Sequence, residues 1–387
     1  MTLKRNSKLF LVLFLGTLSA FGPFVTDLYL PALPTMSSYF NSSTSTIQLT
    51  LTGSMVGLAL GQLLIGPISD KYGRKNPLII SLIVYLISTI AIIIFPNVYA
   101  MIALRFIQGV SSAGAVVISR AISTDLYHGR ELAAFFALLM AVNGLAPILS
   151  PILGSLLLEL TDWRGIFVTL ALIGVVLLAV SFKFNESLAI EKHLDLPITK
   201  TYYSIVHVAK NRLFFALVII QGFALATMFS YIAASPFILQ THYSLSPLMY
   251  SLCFGLNGFA IVLGSKNAGN FKEKISIKLG LSLMLLVSIY LAVALTLTLP
   301  FLFIEVGFFL LLLGLGFILP AGSAIAMSLE RERAGSASAF FGFVPFFLGG
   351  VVSPLVGIGN IFHSSAIAIV ICSTISFITF KLVEKKI

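Results

Sequence analysis

Hydrophobic positions along this chain are gathered into long runs, each closed by Gly, Pro or a charge, with little alternation of apolar and polar residues. Twelve runs stand out, at roughly residues 9–31, 46–68, 77–95, 98–119, 132–158, 163–183, 213–236, 247–265, 276–297, 300–327, 335–357 and 361–381, with ends placed to about 2–4 residues. A helix that crosses a bilayer needs about 20 apolar residues. Barrel strands alternate over about 10 residues, which these runs do not. The pattern therefore predicts an all-α integral membrane protein with twelve transmembrane helices.

Composition agrees. Of 387 residues, 58% are hydrophobic and only 10% charged, too few charges for a surface that faces water on all sides. The net charge of +10 raises nucleic acid as a partner, but its distribution argues against one. With Lys4, Arg5 and Lys8 placed in the cytoplasm, only Arg164 among the 24 Lys and Arg falls in an outside loop, and Arg105 falls within a span. The rest sit inside or at the inner membrane edge, as the positive-inside rule requires. Both termini are then cytoplasmic. Cleavage of residues 1–24 as a signal peptide would leave eleven spans with the same sidedness. The polar continuation Thr26-Asp27-Leu28-Tyr29-Leu30-Pro31 reads instead as a functional part of span one.

The longest inside loop, about residues 185–212, divides the chain into six-span halves, 1–184 and 213–387. The halves echo each other. Ser150-Pro151-Ile152-Leu153-Gly154 in span five matches Ser353-Pro354-Leu355-Val356-Gly357 in span eleven, and Arg105 precedes Gly114 by nine residues as Glu305 precedes Gly314. A parallel repeat of this kind is a known transporter plan.

Charges within spans come next, because each costs at least about 2.5–3.5 kcal/mol at the bilayer centre. Three occur: Asp27, Arg105 and Glu305. By helical rise Asp27 lies ~27 Å from the inner end of its span, and Arg105 and Glu305 lie ~10 and ~8 Å from the outer ends of theirs. All three share the outer half. Burial disfavours an ionised carboxylate and a neighbouring arginine favours it; a carboxylate under both influences can take a proton on one side and release it on the other. Asp27 and Arg105 are thus candidates for proton coupling. Glu305 is a third, although its shallow depth equally suits a side chain reaching to the interface.

At the inner end of span two, Gly61 and Gly66 favour close helix approach, Gly73 a tight turn, and Asp70 a pair with a cation or a helix N-terminus. Positive-inside topology accounts for Lys71 and Lys75, but not for an Asp between two glycines. The run Gly66-Pro67-Ile68-Ser69-Asp70-Lys71-Tyr72-Gly73-Arg74-Lys75 resembles motif A of the major facilitator superfamily. Arg105-Phe106-Ile107-Gln108-Gly109 resembles its motif B, and Gly144-Leu145-Ala146-Pro147 with Pro151 and Gly154 resembles the span-five antiporter motif. Residues 26–34 and Asp162-Trp163-Arg164-Gly165-Ile166-Phe167 are similar to the Bcr/CflA branch of drug:proton antiporters.

The resemblance implies the major facilitator fold, two pseudo-symmetric six-helix bundles, in a monomer of the bacterial inner (cytoplasmic) membrane. It implies proton-driven export of amphipathic small molecules, with a sugar or siderophore as the alternative cargo. Motif A (Gly66, Asp70, Gly73, Arg74, Lys75) would gate the conformational cycle, Asp70 capping the N-terminus of span eleven near Arg331 and Arg333. The pocket, flanked by spans one, four, seven and ten, would draw on Asp27, Tyr29, Arg105 and Gln108. Gln221 and Asn257 would add polar contacts, and Phe223, Met228 and Tyr231 adaptable walls. With 33 Phe in the chain, packing is the commoner use of any one aromatic. The second half departs from the branch: Ala321 follows Pro320 where Asn is common, and Phe343-Val344-Pro345 replaces a polar residue.

Other functions find little support. There is no ring of like residues or filter loop for a channel and no GxxxxGK[ST] for a nucleotide. Five scattered His offer no enzyme centre. Cys253 and Cys372 lie in apolar runs, without metal-site spacing. Neither a cofactor nor a metal is expected.

Overall fold

Polar caps punctuate the apolar runs. Ser7, Asn97, Asp162, Asn211, Ser246 and Asn360 each accept a backbone N–H in the first turn of the helix that follows, satisfying donors that a helix N-terminus leaves open. The computed structural model describes residues 6–189, 191, 198–330 and 333–386. Its helices are α1 (Lys8–Asp27), α2 (Leu33–Tyr39), α3 (Thr44–Tyr72), α4 (Lys75–Ile94), α5 (Val98–Leu126), α6 (Gly129–Leu160) and α7 (Trp163–Lys183), then α8 (Ile198–Ala209), α9 (Arg212–Pro236), α10 (Pro247–Ala268), α11 (Glu273–Thr296), α12 (Phe301–Leu329), α13 (Ala334–Val356) and α14 (Ile361–Val383). Twelve spans of sufficient length and hydropathy lie among the described residues, in the order expected, and no strand does.

Several boundaries differ from expectation, among them span four, which runs to Leu126 rather than ending near 119. Span one breaks after Asp27 into a 3-10 turn, Leu30–Ala32, and then α2. Pro31 and Pro34 lack the N–H groups a continuing helix needs. Span two runs on to Tyr72, so Asp70 lies on a helix rather than in a loop. Gly73, at φ +82°, makes the turn that follows. Beyond Pro236, α9 continues as a π-helical turn over Phe237–His242. The central loop contains α8, which is too short to register as a span.

The chain forms two compact units, one of residues up to Leu30 with Gly53–Tyr202, the other of Pro31–Thr52 with Tyr203 onward. In the first, α1 packs on α5 and α6, and α4 packs on α5 and α7. In the second, α9 packs on α13 and α14 and less extensively on α12, and α11 packs on α12 and α14. The two plans are alike in most seams, but α9 packs far more on α14 than α1 does on α7. Close approaches also correspond. A Cβ on Gly57 of α3 would overlap the Phe106 carbonyl of α5, and one on Gly264 of α10 would overlap the Leu313 carbonyl of α12. Lipid supplies no hydrophobic drive between helices, so such small-residue seams do much of the joining. A larger residue there costs about 1–3 kcal/mol.

Pro31–Thr52 is tied into the second unit by Gln48 Nε2 to the Ala233 carbonyl (2.8 Å), Ser45 Oγ to the Pro354 carbonyl (2.9 Å) and Gln240 Nε2 to the Pro31 carbonyl (3.2 Å).

Candidate functional site

The residues expected to couple protons divide between the units. In the first, Arg105 of α5 is wholly buried. It faces α1, where its Nη2 donates to the Val25 carbonyl (2.9 Å). Its Nη1 donates to Gln108 Oε1, one turn along the same helix. The guanidinium lies 4.3 Å from the centre of the Tyr29 ring and 5.7 Å from that of Phe167. A second layer holds this arrangement. Gln108 Nε2 donates to Thr89 Oγ1 (2.7 Å), and Thr89 Oγ1 donates to the Tyr85 carbonyl on α4 (2.7 Å). Planar guanidinium forks suit such multiple bonding.

Asp27, at the end of α1, is 8% exposed. The ion pairs among the described residues include neither Asp27 nor Arg105. The two terminal nitrogens of the arginine are held by neutral partners, one of them the carbonyl two residues before the aspartate, while its Nε is buried without a hydrogen-bond partner. Sequence reading marked Asp27, Arg105 and Gln108 but missed Thr89 and Tyr85, which look like ordinary residues of an apolar span.

Asp162-Trp163-Arg164-Gly165 has a local role. Asp162 caps α7 by accepting from Arg164 N (2.9 Å) and pairs with Arg164 Nη1 (2.8 Å). This fixes the start of the helix that brings Phe167 to Tyr29, at 5.9 Å between ring centres.

In the second unit, Glu305 of α12 is 6% exposed and does not reach outward. Its Oε1 accepts from Asn257 Nδ2 of α10 (2.9 Å), and the same nitrogen donates to the Tyr231 hydroxyl of α9 (3.0 Å). Tyr231 and Asn257, expected as pocket contacts, are thus committed to one buried cluster. Gln221 faces Ser323 at 3.4 Å, and Phe223 and Met228 are half-buried. An apolar cavity of about 220 Å³ in the first unit is lined by residues such as Phe24, Leu28, Leu153 and Ile173. None of the residues expected to contact cargo lines it, because it lies between the end of α1, the leucines of α6, and Thr169 and Ile173 of α7.

The motif A residues converge on a charged cluster at one end of the first unit. Asp70 pairs with Arg74 (2.5 Å), which also bonds Asp125 at the end of α5 (2.9 Å) and Ser69 (2.9 Å). Burial weakens the hold of Arg74 on its proton, but the Asp125 and Asp70 carboxylates outweigh it and raise the guanidinium above its ordinary value. Glu186 accepts from the backbone N–H groups of Arg74 (3.0 Å) and Lys75 (2.9 Å), capping α4. Lys75 Nζ reaches the Phe182 carbonyl (2.9 Å). Sequence reading missed Asp125 and Glu186; their signal was an acid at the inner end of span four and another just after span six. Arg331 lies outside the described residues.

The expected glycines behave unequally. A Cβ on Gly66 would meet only Val117, at an ordinary 3.6 Å, and one on Gly144 would meet nothing within 4 Å, so neither marks a close approach. A Cβ on Gly154 would overlap the Leu28 carbonyl, just past Asp27. Pro147 and Pro151 lie inside α6, each removing one ladder hydrogen bond.

The sequence profile of the Major Facilitator Superfamily matches residues 9–354. The chain is 36% identical over 362 residues to the uncharacterized MFS-type transporter YdgK of Bacillus subtilis (strain 168), covering 92% of this chain and 90% of that one. It is 27% identical over 273 residues to the bicyclomycin resistance protein homolog of Haemophilus influenzae, covering 70% and 69%. Among solved structures, it resembles the bacterial homolog of the human lysosomal transporter Spinster in its inward-facing, unoccupied form. That likeness has a TM-score of 0.74 at 14% identity and covers 97% and 98% of the two chains, and it speaks for the fold alone. Matched by sequence along most of its length and by fold along nearly all of it, the chain belongs to the Major Facilitator Superfamily.

Proposed function

We propose that the protein exports drug-like amphipathic small molecules across the cytoplasmic membrane in exchange for protons, by alternating access. One observation carries this reading. Arg105 is buried, with its two terminal nitrogens held by the Val25 carbonyl and Gln108 and its plane over the Tyr29 ring, while Asp27 stands beside that segment outside the ion pairs among the described residues. Asp27 can therefore gain and lose a proton without dismantling the support of the arginine. When ionised, it is drawn toward the guanidinium. A proton from outside removes that attraction, displaces bound cargo and favours return to the inward-facing form. Loss of the proton to the cytoplasm resets the carboxylate. The likeness to a bicyclomycin resistance protein homolog supports efflux as the direction and antibiotics as the cargo class. In the same reading Asp70, Gly73, Arg74 and Lys75, joined by Asp125 and Glu186, govern the switch between forms.

The test is a resistance panel in efflux-deficient bacteria expressing the protein, with and without an uncoupler. Raised tolerance to bicyclomycin or a phenicol, abolished by the uncoupler, is the expected result. Unchanged tolerance across the panel, with uncoupler-sensitive movement of a sugar or siderophore, would replace drug export with a dedicated cargo.

A further inference from the structure

Glu305 occupies the place in the second repeat that Arg105 occupies in the first. Each precedes by nine residues a glycine at a helix seam: Gly114 of α5 packs on Ser81 of α4, and Gly314 of α12 packs on Gly280 of α11. Arg105 is surrounded by neutral acceptors. The carboxyl of Glu305 has a single amide donor, Asn257 Nδ2 at 2.9 Å, and its Oε2 is buried without a hydrogen-bond partner.

Among the described residues, the groups around it supply no compensating charge. From α9 comes Tyr231, and from α10 come Asn257, Cys253 and Tyr250. On α11, Tyr290 donates to the Phe303 carbonyl at 3.0 Å. No ion pair among the described residues includes Glu305. One amide hydrogen bond offsets only a small part of the cost of desolvating a carboxylate. The site therefore calls for a cation, and its packing selects which one. Hard metal ions need several converging oxygens, yet Asn257 turns its NH2 group toward the carboxyl. An organic ammonium needs a cavity, and here the rings of Phe308 and Phe254 pack on Tyr231 at 4.7 and 5.8 Å. A proton needs neither.

We infer that Glu305 is a second proton-binding site, built by the second unit alone with Asn257 and Tyr231, and that this structure holds its proton-loaded form. The carbonyl oxygen of the acid then accepts from Asn257, and Oε2 carries the hydrogen. With the amide turned over, its oxygen would face the carboxyl, an arrangement that itself requires a proton there. The inference deepens the exchange reading, on which its place in the transport cycle rests, by giving each repeat its own titrating acid.

The experiment is infrared spectroscopy of the purified, lipid-reconstituted protein at neutral pH, with and without 13C-glutamate labelling. A carboxylic-acid C=O band that moves with the label, disappears in Glu305→Gln and persists in Asp27→Asn is expected. Asn257→Leu, which removes the donor, should shift that band to higher frequency and serves if the Gln variant does not fold. Absence of a labelled acid band, or a band unchanged in both Glu305→Gln and Asn257→Leu, would overturn the assignment. Uncoupler-insensitive export alongside the expected band would instead sink the exchange reading and leave this site standing.

Discussion

Replacing Arg105 by Lys keeps the charge and changes the geometry. The guanidinium bonds α1 through Nη2 at 2.9 Å and Gln108 through Nη1, while lying 4.3 Å above Tyr29. A single ammonium on a flexible stem cannot serve a carbonyl on one helix and an amide on another from the same position. Losing one hydrogen bond to a charged group removes about 1.5–3 kcal/mol, and a weakened cation–π contact removes about 0.5–1 kcal/mol more. The expected destabilisation is therefore about 2–4 kcal/mol. Trp163 is the only tryptophan of the chain and sits 6.0 Å from Phe167, which in turn contacts the guanidinium. Its emission reports locally on this site during thermal unfolding in detergent. Arg105→Lys should melt earlier, with an altered emission maximum before melting, and should export poorly. A Lys variant that melts, emits and exports like the parent would refute the reasoning, because the fork geometry would then be dispensable.

Further outcomes can be stated. Gly154→Val drives a side chain into the Leu28 carbonyl and should cost about 1–3 kcal/mol, read as an earlier melt, whereas Gly144→Ala, in open space, should be silent. Glu186→Gln removes the charge that caps α4 and should destabilise by about 0.5–2 kcal/mol in the same assay. Glu384 bonds Lys381 at 2.9 Å and Lys278 at 3.2 Å, and these lysines hold its carboxyl below the usual carboxylate range. A depressed acid stabilises above its unfolded value, and that contribution fades as pH falls through the folded value. Acidification should thus release the end of α14 from α11, seen as lower hydrogen-exchange protection over residues 381–386 once the intrinsic slowing of exchange in acid is corrected for, and Glu384→Gln should show that low protection at every pH.

The spans were legible because a bilayer imposes one requirement, about 20 apolar residues per crossing, that composition alone can reveal. The repeat was legible at the SPxxG pairs, where the structure shows the same local bond twice. Ser150 Oγ donates to the Ala146 carbonyl (2.7 Å) and Ser353 Oγ to the Gly349 carbonyl (2.8 Å). Asp27, Arg105 and Glu305 were found because an intramembrane charge needs a reason. Their partners were found only in part: Gln108, Tyr29 and Asn257 were marked, but as pocket contacts. Thr89 and the Val25 carbonyl become ligands only through helix packing, which one sequence does not display. Tyr231 was read as a pocket wall because an aromatic on an apolar helix looks alike in either role; its hydroxyl bond to Asn257 could not be read from one sequence. The helical extension to Tyr72 was missed because the apolar signal fades before the helix does, within a stretch rich in polar residues.

The most direct test of the central claim is proton movement through Asp27. Everted membrane vesicles carrying the protein are acidified inside, and a ΔpH-quenched dye follows proton release when bicyclomycin or chloramphenicol is added. The parent should give cargo-dependent dequenching, and Asp27→Asn, which holds the site neutral while leaving the Arg105 anchors in place, should give none at equal expression. Dequenching by Asp27→Asn equal to that of the parent would contradict the account and move the coupling carboxylate elsewhere.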